Sequence, residues 1–487
     1  MNKGYVYLVG AGPGDIRLIT VKGQQVLKQA DVVLYDRLVN PLLLELTKPG
    51  AELVYCGKLP DRHLLRQEAI NDLLVQYGLA GKKVVRLKGG DPSVFGRVGE
   101  EAEALDAVGV DYEIIPGVTA SIGASTYAGV PVTHRNYGAS FAMITGHDKS
   151  PSGQPIIDWQ ALATGIDTIA FYMGVKNLAY ICEKLIEHGR DPKTPVILIQ
   201  WGTLGKQKTL EGTVADIAEK VATAKFSNPA ITLVGDVAKL RTKESWFERQ
   251  PLFGKHLLFG RTSEGASEIA TDLTKLGADV FEYPRFQTIE EKESELSFSD
   301  YDQIVFHSPK SVAWFFEKLK EKRIDVRSLT AIFYGASTKS IRAVEHYSCL
   351  AFPLEELGQV EKRLVIGPVA LKDQITKRSE LYGEHDLLVS HSVEIIEQSN
   401  RTCQRLLDED RVNTIVFPSA EAVKVVTEQI KSCGETPESL SQRADVICFG
   451  PTSEKAAVEL GYKVSETLAE PTREALIDAL SEQQLIQ

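Results

Sequence analysis

The chain has 487 residues, 43% hydrophobic and 25% charged, which is enough for two to four domains with well-filled cores. A formal net charge of −11 argues against general affinity for nucleic acid. No apolar run approaches the ~18 residues of a membrane span, and no signal-peptide pattern precedes Asp15. The six cysteines are scattered without a C-x-x-C pair, as free thiols of a cytoplasmic protein would be. The nine histidines include no H-E-x-x-H or clustered spacing, so no metal site is expected.

In chain order, Val6–Val9 reads as a strand that runs into Gly10-Ala-Gly-Pro-Gly-Asp15. A dinucleotide turn would place a third glycine where Asp15 stands, and Pro13 removes an amide that a phosphate would use. This turn therefore suits a ligand that is neutral or cationic where it meets the backbone, which disfavours a nicotinamide-binding oxidoreductase. Thr20 can cap a helix reaching Ala30, and a strand from Ala30 to Tyr35 ends at Asp36. Lys83–Leu87 is a branched, buried-type strand that stops on Gly89-Gly-Asp-Pro92. Two glycines clear the way for a backbone to approach a ligand at the carboxyl end of a strand. Asp91 can accept hydrogen bonds there, while Lys88 and Arg97 can meet anions. Pro116–Thr126 is rich in small residues, and further strands fall near Thr168–Tyr172, Val196–Gln200 and Ile231–Val234. The alternation predicts an α/β protein. It breaks at residues 241–255, where charge, Pro251 and Gly254 interrupt it. The expected division is 1–245, a linker over 246–254, and 255–487.

The second half repeats itself. Ile304-Val-Phe-His-Ser-Pro-Lys-Ser-Val312 matches Ile415-Val-Phe-Pro-Ser-Ala-Glu-Ala-Val423 at each hydrophobic position and at the serine. Tyr334–Thr338 echoes Phe449–Ser453, and Leu258-Phe-Gly260 has a fainter partner in Val365-Ile-Gly367. Each unit reads as strand, turn and helix, giving two similar α/β lobes. Ser308 and Ser419 fit helix N-caps, and facing turns of this kind would line a cleft suited to carboxylates.

The two glycine turns of the first half resemble those of the tetrapyrrole methylase family, in particular its uroporphyrinogen-III C-methyltransferases. The likeness continues through Ala30–Val39, Pro116–Ala120, Tyr127–Arg135, Thr145–His147, Tyr172–Gly174 and Pro229-Ala230. It implies two α/β lobes with S-adenosylmethionine bound between them and S-adenosylhomocysteine as product. By the same resemblance the cofactor positions are Pro13, Gly89, Gly90, Asp91, Val94, Thr119, Ala120, Met173, Gly202 and Ala230. Asp36 becomes the general base and Lys58 the acid, while Arg37, Arg97, His134 and Arg135 would take carboxylates of a small-molecule tetrapyrrole. A homodimer through this half, with no nucleic-acid or membrane partner, is also implied. The second half resembles the uroporphyrinogen-III synthase family in Arg261-Thr-Ser263, Gly277–Val280 with Pro284, and Gly450–Ser453. It departs at Val389–Val393, where His391 stands near a usual tyrosine. The fusion implies that one half makes what the other methylates, giving precorrin-2 for sirohaem or cobalamin. The rival readings are a methylase of the same fold acting on RNA or protein, and a second half that only binds a regulatory ligand.

Overall fold

Short runs of branched residues form the strands, and their order decides where the chain leaves space. The computed structural model describes residues 3–57, 67–148, 153–241, 243–291 and 297–482. Its first sheet is all parallel and contains β1 (Tyr5–Gly10), β2 (Val32–Tyr35), β3 (Glu52–Tyr55), β4 (Lys83–Lys88) and β5 (Asp111–Ile115), ordered β3-β2-β4-β1-β5. The central strand residues are buried on both faces, as a parallel sheet covered by helices requires. One covering helix is Val21–Gln29, capped by the Thr20 hydroxyl, which accepts from the Gly23 amide at 3.1 Å.

Because the strands are parallel, the turns after β1, β2, β4 and β5 gather at one end of the sheet. There Gly12 and Gly90 exchange backbone hydrogen bonds of 3.2 and 2.8 Å. A Cβ on Gly10 would lie 2.6 Å from the Gly117 Cα, and one on Gly117 would lie 2.4 Å from the Gly90 carbonyl oxygen. Three turns thus meet where no methyl group fits.

The second sheet is mixed and follows the small-residue helix Ala120–Tyr127. It contains β6 (Phe141–Thr145), β7 (Thr168–Tyr172), β8 (Pro195–Gln200), β9 (Lys208–Thr213) and β10 (Ala230–Val234), ordered β6-β7-β10-β8-β9. Small residues bring this lobe close to the first. A Cβ on Gly123 would sit 2.5 Å from Pro13 Cγ, and one on Gly202 would sit 2.3 Å from Ala124 Cβ. Residues 246–254, expected as a linker, are packed instead. Phe247 and Leu252 are buried, and the Phe247 ring lies 4.7 Å from that of Tyr127.

β11 (His256–Gly260) and β12 (Asp279–Tyr283) begin a third sheet, which the chain leaves before finishing. It builds the fourth sheet from β13 (Phe286–Glu290), β14 (Gln303–Phe306), β15 (Ile332–Gly335), β16 (Ala351–Pro353), β17 (Arg363–Pro368) and β18 (Asp386–Ile395). The third sheet is then completed by β19 (Thr414–Phe417), β20 (Asp445–Cys448) and β21 (Glu466–Thr467). The orders are β12-β11-β19-β20-β21 and β13-β18-β17-β14-β15-β16. The sequence repeat is visible in them: β11-β19-β20 has its counterpart in β17-β14-β15. Ser308 and Ser419 are helix N-caps, each accepting from the amide three residues on at 3.2 Å. The chain divides into two compact units, one of residues 1–261, 266–283 and 398–487, the other of residues 262–265 and 284–397.

Within the first unit the helix Gln398–Asp408 packs on the 3-10 helix Pro41–Leu46. Leu42 joins the core of the third sheet. Arg405 donates to the carbonyls of Arg37 and Val39 at 2.5 and 2.9 Å, and the Thr402 hydroxyl donates to Glu45 at 2.5 Å. The second unit has its own apolar core, built around Phe306, Phe315 and Trp314.

The close approach of the glycine turns predicts that Gly117→Ala costs about 1–3 kcal/mol, the usual range for forcing atoms into a filled site. Gly165→Ala, where nothing lies within 4 Å of the added carbon, is the control and should be near neutral. Urea unfolding midpoints of the two variants check this, and equal midpoints would refute it.

Candidate active site

The turns at the carboxyl end of the first sheet, together with the second lobe, enclose a cavity of about 470 Å³. Its walls are backbone at Gly12, Pro13, Gly89 and Gly90 and apolar side chains such as Val94, Phe95, Ile199 and Ile231. All ten expected cofactor positions, Pro13, Gly89, Gly90, Asp91, Val94, Thr119, Ala120, Met173, Gly202 and Ala230, line it. Asp36, Arg37 and Arg97 line it too. Lys58 lies outside the described residues.

Local geometry fixes each polar group. The Asp36 carboxylate caps the turn after β2, accepting from the Leu38 amide at 2.9 Å and more weakly from the Gly89 amide at 3.4 Å. Asp91 accepts from the Ser93 amide at 2.7 Å and the Gly117 amide at 2.9 Å, so it stitches the β4 turn to the β5 turn. Asn40 holds the Gly14 carbonyl at 2.8 Å. The Tyr172 hydroxyl is a hub, 2.6 Å from the Thr119 hydroxyl and 2.8 Å from the Ser121 hydroxyl, and it accepts from the Ser121 amide. Phe95, Arg97, Met173 and Trp201 line the cavity with φ between 51° and 59°. Left-handed backbone at bulky residues is uncommon and concentrates at functional sites.

A buried charge cluster reaches the cavity wall through Arg86 and Lys88. Glu101, with no exposure, accepts from Lys88 at 2.7 Å and Arg86 at 3.1 Å. Burial, and then the neighbouring Arg86, push the Lys88 ammonium down from its ordinary value. Lys88 is therefore held by Glu101, which corrects the expectation that it is free to meet an anion. Asp15 requires a second correction. Its carboxylate binds Arg17 at 2.6 Å and accepts from the Tyr127 hydroxyl at 2.9 Å, and it is absent from the cavity wall. Its charge is spent on structure, and Gly12, Pro13 and Gly14 present that turn to a ligand. His134 and Arg135 are not in the cavity wall either. They belong to a tight turn in which the His134 amide donates to the Gly138 carbonyl at 2.9 Å and the ring lies 5.1 Å from that of Tyr137, tilted by 34°. Arg97 reaches the cavity while paired with Glu100, Nε to Oε1 being 2.8 Å.

Two further wall residues, Glu409 and Arg411, come from the chain just before β19. Nearby, Lys206 donates to the Glu409 carbonyl at 3.2 Å and lies 3.8 Å from the centre of the Trp201 ring.

A model of the Tetrapyrrole (Corrin/Porphyrin) Methylases matches residues 5–218, and one of Uroporphyrinogen-III synthase HemD matches residues 388–478. A uroporphyrinogen-III C-methyltransferase of Bacillus subtilis (strain 168) is 43% identical over 93% of this chain and 93% of its own length. The chain belongs to the tetrapyrrole methylase family. A second relative, the uroporphyrinogen-III C-methyltransferase of Priestia megaterium, is 56% identical over 48% of this chain and 98% of its own. A crystal structure of uroporphyrin-III C-methyl transferase from Thermus thermophilus, complexed with S-adenyl homocysteine, is 40% identical and covers 49% of this chain and 100% of its own, with a TM-score of 0.43.

The methylase half thus places thirteen of the expected residues around one cavity, and the sequence reading missed others. Tyr172 stood in a recognised stretch without a role, and Asn40 is marked only by the Asn-Pro that starts its 3-10 helix. Trp201, Phe95, Glu409 and Arg411 carry no local signal. In the second unit, His391 is buried with its Nδ1 2.8 Å from the Ser390 hydroxyl, and Tyr382 lies 2.8 Å from His307 Nδ1. Burial pushes both histidines down.

Asp15→Ala should lower the melting temperature and leave affinity for S-adenosylhomocysteine nearly unchanged, because Asp15 touches Arg17 and Tyr127 only through its own carboxylate. Asp91→Ala should weaken that affinity far more. Calorimetry and thermal melts on both variants check this, and equal affinity losses would contradict it. Lys206 supplies a pH dependence. Burial, aided by Arg411, holds its ammonium down to about 8, below the ordinary 10.5. Between these values the unfolded chain binds more protons than the folded one, so stability rises with pH, and the cost of the buried charge is fully present below pH 8. In Lys206→Met the rise across this window should be smaller, as read from unfolding free energies at pH steps.

Proposed function

We propose that the cavity is the methyl-transfer site of a two-activity enzyme of tetrapyrrole synthesis. What supports this most is that all ten positions expected for the methyl donor surround one cavity. The walls suit S-adenosylmethionine. At Gly90, with φ of +71°, an added carbon would meet nothing closer than 3.8 Å, at the Ala120 amide and Thr119, so the bare backbone leaves that space open. The carboxylates of Asp36 and Asp91 and the turn carbonyls favour a cation, and no phosphate has to be held. When bound, S-adenosylmethionine supplies an activated methyl group, so the residues have to orient and deprotonate. Asp36, fixed by two backbone amides, is the acceptor for the proton that leaves the tetrapyrrole ring. Lys58 is the acid by resemblance alone. Arg37 and Arg97 are exposed at the cavity and suit the carboxylates of uroporphyrinogen III. Arg97 would exchange Glu100 for such a carboxylate.

The C-terminal half is the synthase that closes hydroxymethylbilane to uroporphyrinogen III, a reaction that chiefly requires the linear substrate to be held folded. The HemD model over residues 388–478 and the strand-by-strand repeat support this reading. The finer reading takes the product of two methylations as precorrin-2, for sirohaem or cobalamin. It takes the methylase half to end at about residue 245, as a cytoplasmic homodimer through that half.

The full chain incubated with hydroxymethylbilane and S-adenosylmethionine should yield a cyclic tetrapyrrole two methyl groups heavier, seen by mass spectrometry. Asp36→Asn should still close the ring and add methyl groups at least ~100-fold more slowly, the usual contribution of a positioned base. Unmethylated uroporphyrinogen III from the wild type would refute the first activity. An unclosed substrate would refute the second and leave a ligand-binding module.

A further inference from the structure

The polar groups of the cavity are nearly all committed. Lys88 is bound to Glu101, Arg97 to Glu100, and Asp91 to two amides. Arg411 differs. It follows the helix Gln398–Asp408, and its amide is fixed to the Leu406 carbonyl at 2.8 Å. Its side chain is 3% exposed and lines the cavity. Among the described residues its one ion pair is a long one, 3.8 Å from Nη1 to Glu409, and its Nε has no hydrogen-bond partner. Glu409 is itself engaged by Arg405 Nε at 2.9 Å. The other nearby acid, Asp279, accepts from His256 and from the Gly205 amide, each at 3.1 Å. Arg405, by contrast, spends its Nη2 on two backbone carbonyls.

A buried guanidinium with so little compensation is costly, and an anion brought to it gains a charge-assisted partner that it need not take from elsewhere. Resting on the methyl-transfer reading of the cavity, we infer that Arg411 is an anion-binding residue of that site, supplied by the C-terminal half, and that it holds a carboxylate of one of the two substrates. Two sources share this chemistry: the amino-acid carboxylate of S-adenosylmethionine and the side-chain carboxylates of uroporphyrinogen III. The methylase cavity is in this sense finished by a part of the chain that lies beyond residue 400. Burial lowers the affinity of Arg411 for its proton, which agrees with a charge that lacks full compensation in the free protein.

The test uses the full-length chain and the variants Arg411→Gln and Arg411→Lys, with thermal melts alongside. Binding of S-adenosylhomocysteine is measured by calorimetry, and kcat and KM are measured with uroporphyrinogen III. Loss of one charged contact should appear as about a tenfold or larger change. If the tetrapyrrole carboxylate is the partner, Arg411→Gln raises the KM for uroporphyrinogen III and leaves the S-adenosylhomocysteine Kd intact. If the donor carboxylate is the partner, the Kd weakens and the tetrapyrrole KM holds. Arg411→Lys, which keeps the charge and loses the planar fork, should fall between Gln and wild type in whichever constant moves. Should Arg411→Gln fail to fold, the lysine variant alone decides. The inference is overturned if a folded variant keeps both constants within about twofold of wild type, or if both worsen together in step with a lower melting temperature. A wild-type chain that neither binds S-adenosylhomocysteine nor methylates would overturn the cavity reading as well, and so be told apart.

Discussion

Everything at the ligand end of the first lobe hangs on the two hydrogen bonds that Gly12 and Gly90 exchange. They close the gap between the turns that leave β1 and β4, two strands that already run side by side. Once those turns touch, Gly117 must also be bare, because its α-carbon abuts both Gly10 and the Gly90 carbonyl. Asp91 then fastens the third turn through the Gly117 amide. The second lobe arrives through a further glycine, Gly123, pressed against Pro13. The cavity is the volume that remains when four backbone segments approach as closely as hydrogen bonding allows.

Under this backbone lies a charge cluster that an apolar floor could have replaced. Glu101 balances Lys88 and holds Arg86, whose Nη1 also reaches the Leu34 and Leu87 carbonyls. Buried ion networks of this kind seldom add net stability, yet removing one partner strands the others and costs several kcal/mol. The cluster keeps a net positive character, and its Arg86 and Lys88 line the same cavity as Asp36 and Asp91. Opposed charges around one cavity polarise the space between them, which helps to orient a ligand carrying both a cation and carboxylates.

Local signals were read well from the sequence. The glycine turns, the Thr20 cap, the branched strands and the serine-marked repeat each depend on neighbours a few residues away, and each formed where expected. What was misread depends on distant partners. Asp15 reads as a charge hostile to phosphate beside the turn, and its structural partner Tyr127, 112 residues on, cannot be paired with it by inspection. Lys88 looked available because Glu101 sits on a helix whose facing is decided by packing. His134 and Arg135 end the stretch Tyr127–Arg135, which lines no part of the cavity, and their turn closes on Gly138. The left-handed backbone of Trp201 and Met173 is imposed by tertiary structure and leaves no mark on composition. The contribution of Glu409 and Arg411 could not be foreseen, since nothing in their own neighbourhood refers to a site some 370 residues earlier.

The interrupted third sheet has a consequence for how the protein is made. Its strands β11 and β12 leave the ribosome long before β19, which must lie beside β11 to cover it. The first two sheets can close as soon as residue 240 or so has emerged, and the fourth sheet can fold as a self-contained insertion. The two waiting strands, and the apolar Leu42 that later joins their core, stay without cover through the translation of more than a hundred further residues. That interval, about 10 s at common elongation rates, is when the nascent chain offers its longest-lived sticky surface, and chaperone attachment would be concentrated there. A stop or a pause before residue 414 would strand two closed methylase sheets and an open sheet edge, the kind of surface that seeds aggregation.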